Sequence, residues 1–316
     1  MTVAPRTESN SSRRFVVLPA ALLAFILACT GGERALAPPV PVAGLGPQSL
    51  AVGEGSLWLA VRSDDIVYRV DRRTLRFRRP GIRVGDNPYA AVFSGGDLWV
   101  ANYAGRSVSR IDGRRGRTVG RPIRVGGGPS ALAVGAGRVW VVNYADRTVV
   151  AIDPRRGRLV GRPIPVGAGA SAIAYGGGRV WVAASFSGEV GEIDPRRGRV
   201  VRTIRLPGPP RTLAYGAGAL WVTSGTESEL FRVDPRTGRM AGQPIRIGDD
   251  PGGIVVRGTR LYVASGGGGV TRVDGLTGRA AFVRTPRVEE PAAIAAGFGS
   301  IYIASFTTGR VGRVAP

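Results

Sequence analysis

GRVWVVNYADRTVVAIDPRRGR, residues 137–158, and GRVWVAASFSGEVGEIDPRRGR, residues 178–199, are one phrase written twice, 41 residues apart. The aromatic at its centre recurs at Trp58, Trp99, Trp140, Trp181, Trp221, Tyr262 and Tyr302, with spacings of 41, 41, 41, 40, 41 and 40. One supersecondary unit is therefore present seven times. A fixed period of this size marks a repeat architecture, because a unit this thin buries its faces only by stacking on its neighbours.

The third repeat shows what one unit builds. PSALAVG (129–135) is a short apolar run, RVWVVNY (138–144) alternates around Trp140, TVVAID (148–153) is β-branched, and RPIPVG (162–167) carries prolines. Four strand-like runs separated by tight turns predict a four-stranded antiparallel meander. The proline-bearing run belongs at the edge, where an N–H can be spared. In DPRRG and DGRRG the aspartate bonds the backbone ahead of it and the glycine supplies positive φ. Seven such units predict an all-β, seven-bladed β-propeller with the aromatic packed between blades. The seventh repeat offers three runs (PAAIAAG, SIYIASF, GRVGRVA), and the fourth is expected from PVPVAG at 39–44. The N-terminal strand then closes the ring and removes its open edge.

WVAN at 99–102, WVVN at 140–143 and WVTS at 221–224, each followed by V-x-x-I/V-D-P/G-x-x-G, resemble YVTN-type propeller repeats. They are also similar to the virginiamycin B lyase-like seven-bladed propellers, over about residues 40–316. The resemblance implies the fold; it implies little about function, since propellers host many activities. The lyase activity it brings with it uses a histidine general base and a bound Mg²⁺, and this chain has no histidine.

The formal charge is +22, and every cationic side chain is arginine. Absence of histidine removes the usual general base and the commonest nitrogen metal ligand. Residues 1–28 read as a signal peptide: a polar start ending in Arg13–Arg14, then FVVLPAALLAFILA (15–28), too short for a membrane span of about 20 residues. SSRRF hints at the twin-arginine route. Cys29, the single cysteine, follows Ile26–Leu27–Ala28 as in a bacterial lipobox, so lipidation there is expected, with 29–38 a flexible tether and 39–316 the propeller. The expected location is the extracytoplasmic side of the cell membrane. A lone thiol forms no internal disulfide, so packing and ring closure must hold the domain.

Strands of a meander alternate in direction, which sorts the turns onto two faces. The third-to-fourth turns gather arginine, among them Arg114, Arg115, Arg155, Arg156, Arg196 and Arg197. The tether enters on that face, which is expected to lie toward an anionic surface as the second signal a lipid anchor needs. The opposite face carries the inter-blade links and more of the acids. There Tyr103, Tyr144, Phe186 and Phe306, with Tyr89 and Gln48 nearer the axis, form a candidate ligand platform suited to sugars, peptides or cationic groups. No cofactor is expected; the alternative is Ca²⁺ or Mg²⁺ on Asp86, Asp249, Asp250, Glu289 and Glu290, since hard ions take oxygen ligands. Two functions follow. The first is a non-enzymatic, membrane-anchored scaffold for a ligand or protein. The second is a divalent-metal-dependent lactonase- or lyase-like enzyme using the acidic channel mouth. Nucleic acid is not an expected partner, because the arginines lack interleaved aromatics, and a monomer is expected.

Overall fold

Two turns recur, each in six of the seven repeats, on chemistry the repeat's own residues supply. The first turn joins the inner strand to the aromatic-bearing strand through two left-handed residues: Ala136 and Gly137 (φ 50° and 71°), Ala217 and Gly218 (50° and 74°), Phe298 and Gly299 (48° and 78°). This type I′ geometry matches the twist of the hairpin it closes. The third turn rests on aspartate. Asp153 Oδ1 accepts from the N–H groups of Arg155 (2.8 Å) and Arg156 (3.1 Å), and Asp71, Asp112, Asp194, Asp234 and Asp274 repeat the arrangement.

These turns titrate. Backbone N–H donors hold the carboxyls of Asp71, Asp112, Asp194, Asp234 and Asp274 below the ordinary aspartate value; at Asp153 the Arg156 guanidinium comes first and its N–H second. A depressed folded-state pKa contributes stability that is complete above the unfolded value, about 3.9, and is lost as pH falls through the folded one. Melting temperature is therefore expected to drop below about pH 4. Asp112→Asn/Asp153→Asn/Asp194→Asn keeps an acceptor in each turn but removes the titration, so its acid limb should be shallower. An unchanged limb would remove the turns from the account of acid denaturation.

The computed structural model describes residues 40–41, 47–285 and 288–315. The expected leader, Cys29 and the tether lie outside the described residues, and Gln48 is described by its backbone alone. Blade 1 comprises Pro47–Gly53, Ser56–Val61, Ile66–Val70 and Phe77–Arg83. Blade 2 comprises Pro88–Ser94, Asp97–Asn102, Ser107–Asp112 and an outer edge in two pieces, Arg117–Thr118 and Ile123–Arg124. Blade 3 comprises Pro129–Gly135, Arg138–Asn143, Thr148–Asp153 and Arg158–Pro165; blade 4, Ala170–Gly176, Arg179–Ala184, Glu189–Asp194 and Arg199–Arg205. Blade 5 comprises Pro210–Gly216, Ala219–Ser224, Glu229–Val233 and Ile245–Arg246; blade 6, Pro251–Arg257, Arg260–Ser265, Gly269–Asp274 and Ala280–Arg284. Blade 7 takes Pro291–Gly297, Ser300–Ser305 and Arg310–Val314 from the C-terminal part and Val40–Pro41 as its outer strand.

The chain is thus a seven-bladed propeller closed by its N-terminal strand, with Val40 opposite Val311 and Pro41 opposite Arg310. The outer strands depart from the sequence expectation in their bounds. In blade 3 the edge begins at Arg158, four residues before the run that predicted it. The extra length is absorbed as a register shift between Val149 and Ala151 on the strand it pairs with.

The core sits between blades. Seven apolar clusters form, one at each blade junction including the 7–1 junction, and the aromatic of each blade packs on the blade that follows. All five tryptophans are fully buried. The indole Nε1 of Trp58, Trp140, Trp181 and Trp221 donates to the carbonyl of Gly53, Gly135, Gly176 and Gly216, each at 3.0 Å. These glycines are required for space: a Cβ on Gly135 would lie 1.9 Å from the Tyr175 ring, and one on Gly176 2.0 Å from Tyr215. Blade 2 has Ser94 in that place, and Trp99 Nε1 has no partner among the described residues.

Candidate functional site

The inner strands of neighbouring blades touch around the whole ring, and every one of them shifts register after its first residue. The shift leaves one bulged residue per blade: Gln48, Tyr89, Ser130, Ser171, Arg211, Gly252 and Ala292. A bulge re-aims a side chain out of the ladder. These positions lie at the link end of the strands nearest the axis, and they vary where the flanking residues repeat. Framework is shared between blades; this ring of seven is not.

The aromatics of the link face concentrate over blades 2 to 4. Tyr89 and Tyr103 stack at 5.6 Å between centroids, and Tyr144 meets Phe186 edge-on at 6.4 Å. Backbone bonds fix the turns that present them, Tyr103 N–H to Asn87 O at 2.8 Å and Tyr144 N–H to Gly128 O at 2.9 Å. The links between these blades, Gly126–Gly127–Gly128 and Gly167–Ala168–Gly169, are almost bare of side chains. Gly128 has positive φ, and a Cβ there would sit 3.1 Å from the Tyr103 ring; one on Gly169 would sit 2.8 Å from Phe186. The result is a low floor bordered by four rings, of which Phe186 is 77% exposed. Phe306, 39% exposed in blade 7, stands apart and stacks on no other ring among the described residues.

The carboxylates of this face are dispersed. Asp86 lies in the link between blades 1 and 2, Asp249 and Asp250 between 5 and 6, and Glu289 and Glu290 between 6 and 7. Asp249 accepts from Ser228 at 2.8 Å, and Asp250 is paired with Arg211. Among the described residues no three His, Cys, Asp or Glu side chains gather at a spacing suited to a metal ion. Asp146 caps the glycine floor, its Oδ2 accepting from Gly127 N–H at 2.6 Å. Asn102 and Asn143 brace loops: Asn102 Nδ2 donates to Ser109 Oγ (2.9 Å), and Asn143 Nδ2 to Val125 O (3.0 Å).

On the opposite face the arginines are partly engaged by the protein itself. Arg115, Arg156 and Arg197 fold back on the aspartates of their own turns, Asp112, Asp153 and Asp194, at 3.0, 2.8 and 3.6 Å, and Arg114 reaches Glu54 of blade 1 at 3.2 Å. Arg155 and Arg196 are exposed and form no ion pair among the described residues. Further arginines latch blades together. Arg69 donates to the Arg114 carbonyl, Arg138 to Pro195 and Arg202 to Pro235, each reaching the aspartate turn of the next blade. Sequence reasoning missed these latches because their acceptors are backbone carbonyls in another repeat. It missed as well the guanidinium that covers most tryptophans. Arg69, Arg110 and Arg232, directly across from Trp58, Trp99 and Trp221, lie 5.3, 5.3 and 5.5 Å from the ring centroids. Blade 3 has Ala151 across from Trp140, and Arg138 of the first turn takes the place at 5.6 Å.

No family model and no curated protein matches the sequence. Solved structures do. Hydrazine synthase of Kuenenia stuttgartiensis superposes with a TM-score of 0.75 at 20% identity, over 88% of this chain and 97% of that one. Virginiamycin B lyase from Staphylococcus aureus gives 0.76 at 15% identity, over 88% and 98%. The Pan2 WD40 domain of Neurospora crassa gives 0.72 at 13%, over 85% and 88%. What these proteins share with the chain is the propeller. At such identities the likeness carries fold and no activity.

Proposed function

We propose that the protein is a non-enzymatic binding propeller, of the YVTN-repeat type, lipid-anchored through Cys29 on the extracytoplasmic side of the cell membrane. Its ligand lies across the aromatic sector of the link face. The observation that carries this is two aromatic pairs, Tyr89–Tyr103 tilted and Tyr144–Phe186 edge-on, bordering a floor of glycine links. One exposed and three half-buried rings around a side-chain-poor floor suit a ligand with flat apolar faces and polar edges, such as a sugar ring or an extended peptide. The orientation is supported by the direction of the closing strand. Val40–Pro41 runs antiparallel to Arg310–Val314, so the closing strand starts at the arginine face, the side the proposed orientation turns toward the membrane.

Capture from cell-envelope extract by the Cys29→Ser protein is expected to enrich one ligand class. Tyr103→Ala/Tyr144→Ala/Phe186→Ala should weaken that ligand by at least about tenfold, since buried aromatic anchors carry about 2 kcal/mol or more each. Phe306→Ala should leave it unchanged. Equal binding by the triple variant would remove the platform as the site.

A further inference from the structure

Blade 4 and blade 6 solve the same position in opposite ways. In blade 4, Glu192 stands across from Trp181 on one side and Arg202 on the other. Its carboxylate is gripped by two guanidiniums, Arg179 Nε at 2.9 Å and Arg202 Nε at 2.7 Å. In blade 6 the register puts Arg272 where Glu192 stands, across from Tyr262 and Ala281, and Arg260 where Arg179 stands. Arginine also stands at this position in blades 1, 2 and 5, as Arg69, Arg110 and Arg232; in blade 6 it is joined by Arg260, and Ala281, in the place of Arg202, opens space. A hollow of about 200 Å³ results, lined by Arg260, Arg272, Asp274, Arg279, Ala280 and Ala281.

Three arginines and one aspartate line it. Asp274 is already committed to the N–H groups of Leu276 and Thr277, at 3.0 and 2.8 Å. Among the described residues none of the three arginines forms an ion pair, whereas Arg179 and Arg202 of blade 4 both do. We propose that the blade 6 hollow is a binding site for a phosphate-class oxyanion, which supplies from outside the negative group that Glu192 supplies in blade 4. Planar guanidiniums lining one hollow favour tetrahedral oxyanions through paired N–H···O bonds. The tip of the same turn carries Leu276, 64% exposed, where the other aspartate turns carry Arg73, Arg114, Arg155, Arg196 and Arg236. An apolar tip beside a phosphate site fits the headgroup of a phospholipid as well as a soluble phosphate, and the two sources are separable. The site is on the face opposite the aromatic sector, so it stands or falls independently of the ligand proposed there.

Titration of the purified protein with inorganic phosphate at low ionic strength is expected to show one saturable site. Arg272→Glu rebuilds the blade 4 charge arrangement and should weaken it by about tenfold or more, because a carboxylate then competes for the same donors. Arg260→Gln, at the exposed first residue of its strand, should weaken it in the same direction. Arg158→Glu reverses one exposed charge in blade 3 and should leave it unchanged. Absence of saturable binding, or an equal loss in Arg158→Glu, overturns the site in favour of diffuse charge. Vesicles of phosphatidylglycerol, set against phosphatidylcholine, identify the source. Weaker phosphatidylglycerol binding by Arg272→Glu than by Arg158→Glu assigns the site to headgroups; equal vesicle binding with phosphate affinity lost assigns it to a soluble phosphate.

Discussion

Trp181→Ala is expected to destabilise the propeller by about 3–5 kcal/mol, the range for removing a large aromatic from a packed core. The side chain is fully buried at the junction of blades 4 and 5. That junction is held on both sides by backbone ladders, so the walls cannot collapse into the space. At roughly 2–4 °C per kcal/mol for a chain of this size class, the melting temperature should fall by about 6–20 °C. Phenylalanine makes the sharper comparison. Trp181→Phe keeps most of the volume but removes the 3.0 Å hydrogen bond from the indole to the Gly176 carbonyl, a loss of about 0.5–1.5 kcal/mol. Trp99→Phe discards a donor that has no partner among the described residues, so its cost should be distinctly smaller. Chemical denaturation of the two variants checks this. Equal losses would mean that the indole–glycine bond contributes nothing beyond ring burial.

That contrast also shows where the sequence is readable. The period of the aromatic is legible because one hole, between a blade and its successor, must be filled seven times by a residue of similar size. The aspartate turns are legible because their chemistry is local: Asp153 bonds the residues two and three places ahead. The inner-strand bulges are not legible. PSALAVG reads as an uninterrupted run, yet Ser130 is extruded between Pro129 and Ala131, in register with six equivalents around the ring. The demand arises from the assembled ring, which no single repeat contains.

The candidate site divides along the same line. Tyr103, Tyr144 and Phe186 stand out from sequence because they occupy the turn after the aromatic strand. Sequence does not show that Tyr89 stacks on Tyr103, or that Phe306 is left in a separate sector. Nor does it show which arginines remain available. Arg156 and Arg155 are neighbours in one turn, but one is folded onto Asp153 and the other forms no ion pair among the described residues. Blade 6 is legible only after registration. Arg272 is unremarkable in the chain until the ladder places it where Glu192 stands in blade 4.

Deleting residues 39–44 is expected to open the ring, and its effect should exceed what the two paired residues contribute alone. Val40–Pro41 is the outer strand of blade 7, and the next strand inward, Arg310–Val314, contributes buried Val311 and Val314 to the junctions with blades 1 and 6. Each ladder bond lost removes about 0.5–1.5 kcal/mol. The larger consequence is topological: blade 7 would then be tied to blade 1 only through side-chain packing, and no strand would carry the chain across the junction. Its exposed edge would also be free to pair with another copy. The expected result is a lower melting temperature, hydrogen exchange accelerated first in Ser300–Ser305 and Arg310–Val314, and concentration-dependent association that the intact chain lacks. Phe282→Pro/Val283→Pro removes ladder donors from the outer strand of blade 6 but leaves the chain and the ring continuous, and should be milder. If both changes lower stability equally, closure adds nothing beyond the local ladder. The entry of the chain on the arginine face then no longer constrains how the propeller is held, and the proposed orientation loses its support.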